Sequence, residues 1–287
     1  MLVLRPGALG DTLLAVPALR ALHRRFGPLT LAAHGGAARL LAGLGEVEEG
    51  LDFDDPSLAW LFAHSPKPQD AWLFAHSPKS QDASPDRPLT DPPSLDKIVA
   101  WMQPPVGTAL SRAVLVAPSR PVREQHCAQY LLESLAPLDV DTSWIDDRPL
   151  RVTPIPSEEV LIHPGSGSIA KNWPALSFAE TIRALERPVR LIVGEADASA
   201  AHAVEDCLGR SLPRLTNVPL EELAARLAGC HAYVGNDSGV SHLAGLCGAR
   251  TIVLFGPTSP AVWRPIGPRV QVRPFETPSQ EIAKHLA

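Results

Sequence analysis

The sequence predicts an α/β protein made of two doubly wound parallel sheets that face a cleft. Three observations point there. The chain opens with a short apolar strand, a glycine-rich turn and an amphipathic helix; strands and helices then alternate along its length; and a proline-rich segment, 149–158, divides that alternation into two runs.

Residues 2–4 (Leu2, Val3, Leu4) form the opening strand. Residues 11–26 read as one helix, with Leu13, Leu14, Leu19 and Leu22 on one face and Gly27-Pro28 as its stop. Residues 29–33 give the next strand, 37–44 a helix, 51–53 a strand, 113–117 a strand and 124–135 a helix. Within this half, residues 59–70 recur as 71–82 with a single difference, Pro68 against Ser80. One 12-residue copy is too little to build a solenoid, so the duplication reads as an enlarged surface loop, where added length costs little closure entropy. The Pro-, Asp- and Ser-rich stretch 84–94 continues as loop.

Pro149, Pro154 and Pro156 mark the linker. Beyond it, strands are expected at 160–163, 189–193, 232–234 and 251–255, and helices at 174–185, 198–208, 220–228 and from about Ser238. The expected organisation is therefore a domain over 1–150 that carries the duplicated loop 59–82, a domain over 158–275, and a closing helix within 276–287.

Composition narrows the function. With 287 residues and 45% apolar side chains the protein can fill two cores, and no apolar run reaches the roughly 20 residues of a membrane span. The start, Met-Leu-Val-Leu-Arg, leads directly into a strand without the marks of a secretory signal, which makes a cytoplasmic protein the expectation. Cys127, Cys207, Cys230 and Cys247 are widely spaced, with no C-x-x-C and no His at zinc-ligand spacing, so they read as buried thiols and no metal is assigned. Net charge is −5, against the basic footprint of a nucleic-acid binder. The acidity is confined to residues 1–150, with 13 basic and 18 acidic side chains against 13 of each in the remainder. Within that acidic half, Arg20, His23, Arg24 and Arg25 cluster at the end of the first helix, either as cations complementing its dipole or as a local patch for an acidic acceptor.

The most telling stretch is 233–260. A buried strand end runs into the turn Gly235-Asn236-Asp237-Ser238-Gly239, and a Gly- and Ala-rich helix follows at once. The unpaired N–H groups and positive dipole end of that helix would lie at the carboxyl edge of the sheet, a phosphate site in outline. His242 stands four residues after Ser238 and shares its helix face. A second strand ends in Gly256-Pro257-Thr258 at the same edge.

Asn236-Asp237-Ser238-Gly239, His242 and Ala244, followed by Phe255-Gly256-Pro257-Thr258-Ser259-Pro260, are similar to the (G/N)-D-(T/S)-G-x-x-H-x-A and F-G-x-T-x-P signature of the family 9 glycosyltransferases, the heptosyltransferases of lipopolysaccharide core assembly. The opening Arg5-Pro6-Gly7-Ala8-Leu9-Gly10-Asp11 resembles that family's R-x-G-x-x-G-D start. His163-Pro164-Gly165-Ser166 and Lys171-Asn172-Trp173-Pro174 resemble its central element, H-x-G-(S/A) followed by K-x-W-P. The resemblance is good at both ends and poor from about 45 to 150.

The resemblance implies the GT-B fold, two Rossmann-like domains facing a cleft, in which the last helix, 278–286, would cross back to the first domain. It also implies an inverting, metal-independent transfer of a sugar, a heptose from an ADP-linked donor, to a glycan or glycolipid acceptor, by a monomer in the cytoplasm in peripheral contact with the inner membrane face. No cofactor is implied beyond the nucleotide-sugar donor. On this reading Gly165, Ser166, Gly167, Ser168 and Lys171 cradle the diphosphate, with Lys171 compensating its charge; a surface lysine beside a turn is the alternative. Ser238 and Gly239 offer further donors. Asp237 belongs to the donor site or caps the helix, and His242 touches a phosphate or packs. His163 shapes its loop. Asp197, with Glu195 as the alternative, stands where the family carries an acid for the ribose. Asp11 is the candidate general base, an N-cap role being the plain alternative, and Arg5, Gly10 and Arg24 are assigned to the acceptor side, Arg5 also as a structural residue.

Three other readings stand against this one. Gly7 and Gly10 make G-x-x-G, short of the G-x-G-x-x-G of a nicotinamide-dependent dehydrogenase. A nucleotide-sugar epimerase could use the same fold. A non-catalytic binding protein would keep the donor pocket beside a diverged acceptor half.

Overall fold

The computed structural model describes residues 1–34, 36–61, 97–102 and 113–287. Apart from its first three residues the duplication at 59–82 lies outside them, as does the loop at 84–94. The first sheet contains β1 (Leu2–Arg5), β2 (Thr30–Ala33), β3 (Glu49–Asp52), β4 (Ile98–Trp101) and β5 (Ala113–Ala117), in the order β3-β2-β1-β4-β5. It carries helices α1 (Leu9–Leu13), α2 (Val16–Phe26), α3 (Ala37–Gly43) and α4 (Cys127–Glu133). The second contains β6 (Val160–His163), β7 (Val189–Val193), β8 (Arg214–Thr216), β9 (Ala232–Asn236), β10 (Thr251–Phe255) and β11 (Val270–Pro274), in the order β11-β10-β9-β6-β7-β8. Its helices are α5 (Ala175–Ala184), α6 (Ala198–Leu208), α7 (Leu220–Gly229), α8 (Gly239–Leu246), α9 (Pro260–Trp263) and α10 (Ser279–Leu286).

Every strand pairing is parallel. A parallel sheet covered on both faces needs apolar residues at every position, and β1, β4, β6, β9 and β10 are buried throughout. Strand order reverses between β1 and β4 in the first sheet and between β6 and β9 in the second. Crevices for ligands open at such switch points, beyond the carboxyl ends of the strands. The turns after β1, β6 and β9 are therefore the ones placed to form a site.

Three differences from the sequence reading have physical causes. The single helix expected over 11–26 is two helices, because Pro17 has no N–H for the carbonyl of Leu13 and its ring crowds that turn; the helix breaks at Leu14-Ala15 and restarts with proline in the first turn of α2. Strands β4, β8 and β11 are additions to the expected set. The run Ile98-Val99-Ala100-Trp101 is readable as a buried strand, whereas Arg214-Leu215-Thr216 is too short to show a period and β11, paired with β10 along its whole length, is a partly exposed edge strand of mixed polarity. The closing helix does not cross back: α10 buries Ile282 and Leu286 in the core of the second domain, and Ser279 bonds Glu180 (3.0 Å) and Thr181 (3.3 Å) of α5. Among the described residues no helix is long and apolar enough to cross a membrane.

The two halves share one apolar cluster, in which Leu13, Leu14 and Leu40 of the first domain join Leu223, Leu243 and Leu246 of the second. Behind this junction the linker is tied down by charge. Arg20, buried on α2, holds both oxygens of Glu46 at 2.7 Å and the carbonyl of Arg148 at 2.7 Å. Asp146, fully buried, receives Arg148 at 2.7 and 2.8 Å, Arg24 at 3.1 Å and Arg20 at 3.3 Å. These bonds, that from Arg148 first, hold the Asp146 carboxyl down at about 2. A carboxylate whose pKa is depressed on folding stabilises the protein above its unfolded value, and that contribution fades as pH falls through the folded one. Denaturant midpoints should therefore drop more steeply between about pH 4 and about pH 2 in the wild-type protein than in Asp146→Asn; parallel acid limbs would refute this role for the carboxylate.

Candidate active site

The site grows from the end of β9. Asn236, fully buried, accepts from Trp173 N (2.8 Å) and donates to the carbonyls of Pro164 (2.8 Å) and Gly165 (3.2 Å), fastening the turn after β6 to the turn after β9. Ser238, extended at φ −150° and ψ 162°, caps α8 by accepting from Ser241 N. The leading N–H groups of α8 then face the crevice between the two turns. Ser166 Oγ lies 2.7 Å from Ser168 O and 2.7 Å from Asn172 Oδ1, which closes the 165–171 turn on itself.

Lys171 reaches across to this helix end. Its Nζ donates to Asp237 O (3.0 Å) and stands 3.3 Å from Asp237 Oδ2, which also accepts from Thr258 Oγ1 at 2.9 Å. Lys171 thus offsets the charge of the Asp237 carboxylate, which then does not stand as a bare negative charge where an anion would bind. Beside it, His163 bridges two groups, with Nδ1 3.1 Å from Ser238 Oγ and Nε2 2.9 Å from Asp197 Oδ2. The His163 bond, followed by a backbone bond from Gly194, holds the Asp197 carboxyl below the usual range. Gly165 is required here, since a Cβ at that position would lie 1.9 Å from Asp197 Oδ1. Glu195, the alternative acid, points into solvent.

The first domain closes the crevice through α1. A Cβ on Gly10 would lie 2.8 Å from the His242 ring and 3.5 Å from Gly239 Cα, and one on Gly239 would meet Leu9 and the Gly10 nitrogen. Two glycines thus let α1 rest directly on the first turn of α8. Asp11, one residue on, accepts from Ala8 N (3.0 Å) and keeps its carboxylate about one-third exposed. Beneath it, Arg5 is buried, donates from Nε to Asp11 O (3.2 Å) and holds Nη2 3.7 Å from Asp11 Oδ1. His242 sits where these groups meet. Burial lowers its pKa to about 4 against the pull of Asp237 and Asp11, so it is neutral at pH 7, and its buried Nδ1 has no hydrogen-bond partner.

The structure therefore brings together Gly165, Ser166, Lys171, Asp197, Asp237, Ser238, Gly239, His242, Gly10 and Asp11, with Gly167 and Ser168 on the exposed rim of the same turn. It does not bring Arg24, which pairs with Asp146 and stacks 5.0 Å over Trp144 at the far end of α2. Arg5 is buried beneath Asp11 and bonded to it, which fits the structural role also expected for it. One residue escapes the sequence reading: His126, at the start of α4, reaches the carbonyl of Arg264 across the domains at 2.9 Å, and burial lowers its pKa. A lone histidine ahead of a helix carries no sequence signal. Asp52-Phe53-Asp54, an Asp-x-Asp sequence outside the expected site, sets two carboxylates 3.9 and 3.6 Å from His34 Nδ1 at the edge of the first sheet. This is the group among the described residues with metal-ligand spacing, and none of its members belongs to the crevice.

Comparison with known proteins agrees with this geometry. The model of glycosyltransferase family 9 (heptosyltransferase) matches residues 133–284, more than half of the sequence. Lipooligosaccharide heptosyltransferase 2 of Haemophilus influenzae is 28% identical over 116 residues, 36% of this chain. That match spans about a third (32%) of the relative's length. Among solved structures, E. coli heptosyltransferase WaaC with ADP superposes at a TM-score of 0.68 with 15% identity, over 99% of this chain and 97% of that one. E. coli ADP-heptose LPS heptosyltransferase II gives 0.68 with 18% identity over 99% and 96%. A family 9 glycosyltransferase of Veillonella parvula gives 0.68 with 17% identity over 95% and 85%. At such identities the likeness establishes the GT-B fold.

Asn236→Ala should cost about 3 kcal/mol, since it leaves a buried N–H and two buried carbonyls without partners. Urea unfolding measures this, and a loss below about 1 kcal/mol would show that the two turns hold together without it.

Proposed function

The chain belongs to glycosyltransferase family 9, and on that premise we propose that it transfers a sugar, a heptose from ADP-heptose, to a hydroxyl of a glycan or glycolipid acceptor of the lipopolysaccharide-core type. The observation that carries this reading is the seating of Gly10 against His242, which sets an exposed carboxylate opposite a helix N-terminus and a lysine. A nucleotide-sugar transferase needs that pairing: a base on one wall and a grip for the departing diphosphate on the other.

On the donor wall, the N–H groups of α8 and the backbone of 165–168 would bind phosphate oxygens, with Lys171 shared between Asp237 and the diphosphate. A neutral His242 would donate its N–H to a phosphate oxygen. Charge building on the leaving group is then met by protein groups, and no step calls for a metal. Asp197, already oriented by His163, is assigned to the ribose hydroxyls. On the opposite wall Asp11 would take the acceptor proton as its oxygen attacks the anomeric carbon from the face away from the diphosphate, so that a single displacement inverts the configuration. The buried Arg5 keeps Asp11 in place. The proposed setting is the cytoplasm, with a monomer working at the inner membrane face.

Two variants test the assignment. Asp11→Asn should lower kcat by about a hundredfold or more while ADP-heptose affinity changes less than about twofold. Lys171→Ala should weaken ADP binding and slow transfer together, by about tenfold or more. Turnover by Asp11→Asn at the wild-type rate would exclude the base. A wild-type protein that binds ADP-heptose without hydrolysing or transferring it would be a binding protein. A thermal-shift comparison of ADP-, GDP- and UDP-linked sugars identifies the donor base.

A further inference from the structure

We propose that a second pocket, behind the domain junction, binds a small multiply charged anion of the phosphate-ester or diphosphate class. The pocket has a volume of about 390 Å³ and is lined by Arg20, His23, Arg24, Glu46, Arg148 and Arg151, among others. That volume suits a small ligand. It is separate from the crevice: α2 starts at Val16, after the break that follows α1, and ends at Phe26, near the start of β2, so Arg24 is 8 residues of helical rise, roughly 12 Å, beyond the end of α2 nearer Asp11.

Charge is the central argument. Four arginines meet two carboxylates there. Arg20 engages Glu46, and Arg20, Arg24 and Arg148 divide the one carboxylate of Asp146. Arg151 has no ion-pair partner among the described residues, so two positive charges are left over from the ion pairs, with the exposed carboxylate of Asp141 in the field of Arg24. The carbonyl end of α2 subtracts about half a charge and does not cancel them. Three of the four arginines, Arg20, Arg24 and Arg148, belong to the half of the protein whose net charge is −5.

The geometry of the donors agrees. Arg20 is used up within the fold, but the side chains of Arg24 and Arg148 are 40% and 68% exposed, and each keeps N–H groups beyond those spent on Asp146. Bonds to the buried Asp146 hold both guanidiniums in place, and fixed forks of this kind suit phosphate oxygens. A concave site between α2, the turn at 44–46 and the linker favours a small anion over an extended polyanion or a membrane surface.

Calorimetric titration of the full-length protein with inorganic pyrophosphate tests the proposal, with Lys171→Glu as background to suppress binding in the crevice. One site should survive in Lys171→Glu. Adding Arg151→Gln, which breaks no ion pair, should weaken it at least tenfold without moving the Tm, and adding Arg148→Gln should weaken it by as much. Glucose 6-phosphate in place of pyrophosphate separates a phosphate-ester preference from a diphosphate preference, and either supports the site. No binding in the Lys171→Glu background, or binding that neither arginine substitution changes, would overturn the proposal. Equal displacement by sulfate at matched ionic strength would also overturn it, by showing an unselective counter-ion site.

Discussion

The close approach of α1 to α8 is the constraint on which the rest of the molecule depends. Helices of ordinary composition pack with axes about 8–10 Å apart. Here Gly10 and Gly239 face each other with no side chain between them, and the His242 ring fills the space beside Gly10. Leu13 and Leu14 on one side and Leu243 and Leu246 on the other continue the contact as a single apolar core. Because that core is shared, the carboxyl edges of the two sheets are held facing each other, and Asp11, held by Ala8 N and Arg5, is set against the Lys171–Asp237 wall.

Given that frame, the donor wall is a problem of charge balance. Two carboxylates, Asp197 and Asp237, lie where an anion is expected, and each is held by partners of fixed geometry: His163 and Gly194 N hydrogen-bond the first, and Lys171 pairs with the second beside Thr258. The amide groups at the start of α8 are then the dominant electrostatic feature. Asn236 contributes no charge but decides the geometry, since its amide holds the 164–173 segment against β9. His242 remains neutral because burial outweighs two nearby carboxylates.

The reverse side of the junction uses the opposite arrangement, with cations in excess around one buried carboxylate. Arg20 and Asp146 make the linker part of the first domain's structure, so the backbone between the two sheets is braced along α2 before it enters β6. An isolated carboxylate would be costly at full burial; three guanidiniums make it tolerable. Arg24 and Arg148 leave unspent donors facing outward. Two separate places thus present fixed donors, one built from helix amides and one from guanidinium forks.

Much of this was legible in the residues. Alternating strands and helices about a proline-rich linker pointed to two doubly wound sheets, and Gly235 to His242 pointed to a helix N-terminus at a sheet edge, because both rest on local periodicity and local turn chemistry. The break at Pro17 was local too and was readable, as was the strand at Ile98–Trp101. What tertiary structure alone decided was which distant groups meet: Arg24 with Asp146 instead of an acceptor, α10 on α5 instead of the first domain, His126 against Arg264. A sequence records the backbone preferences and hydrophobic period of each segment, so it determines elements and their turns. Pairings across about a hundred residues or more depend on how whole layers stack, and no local signal carries them.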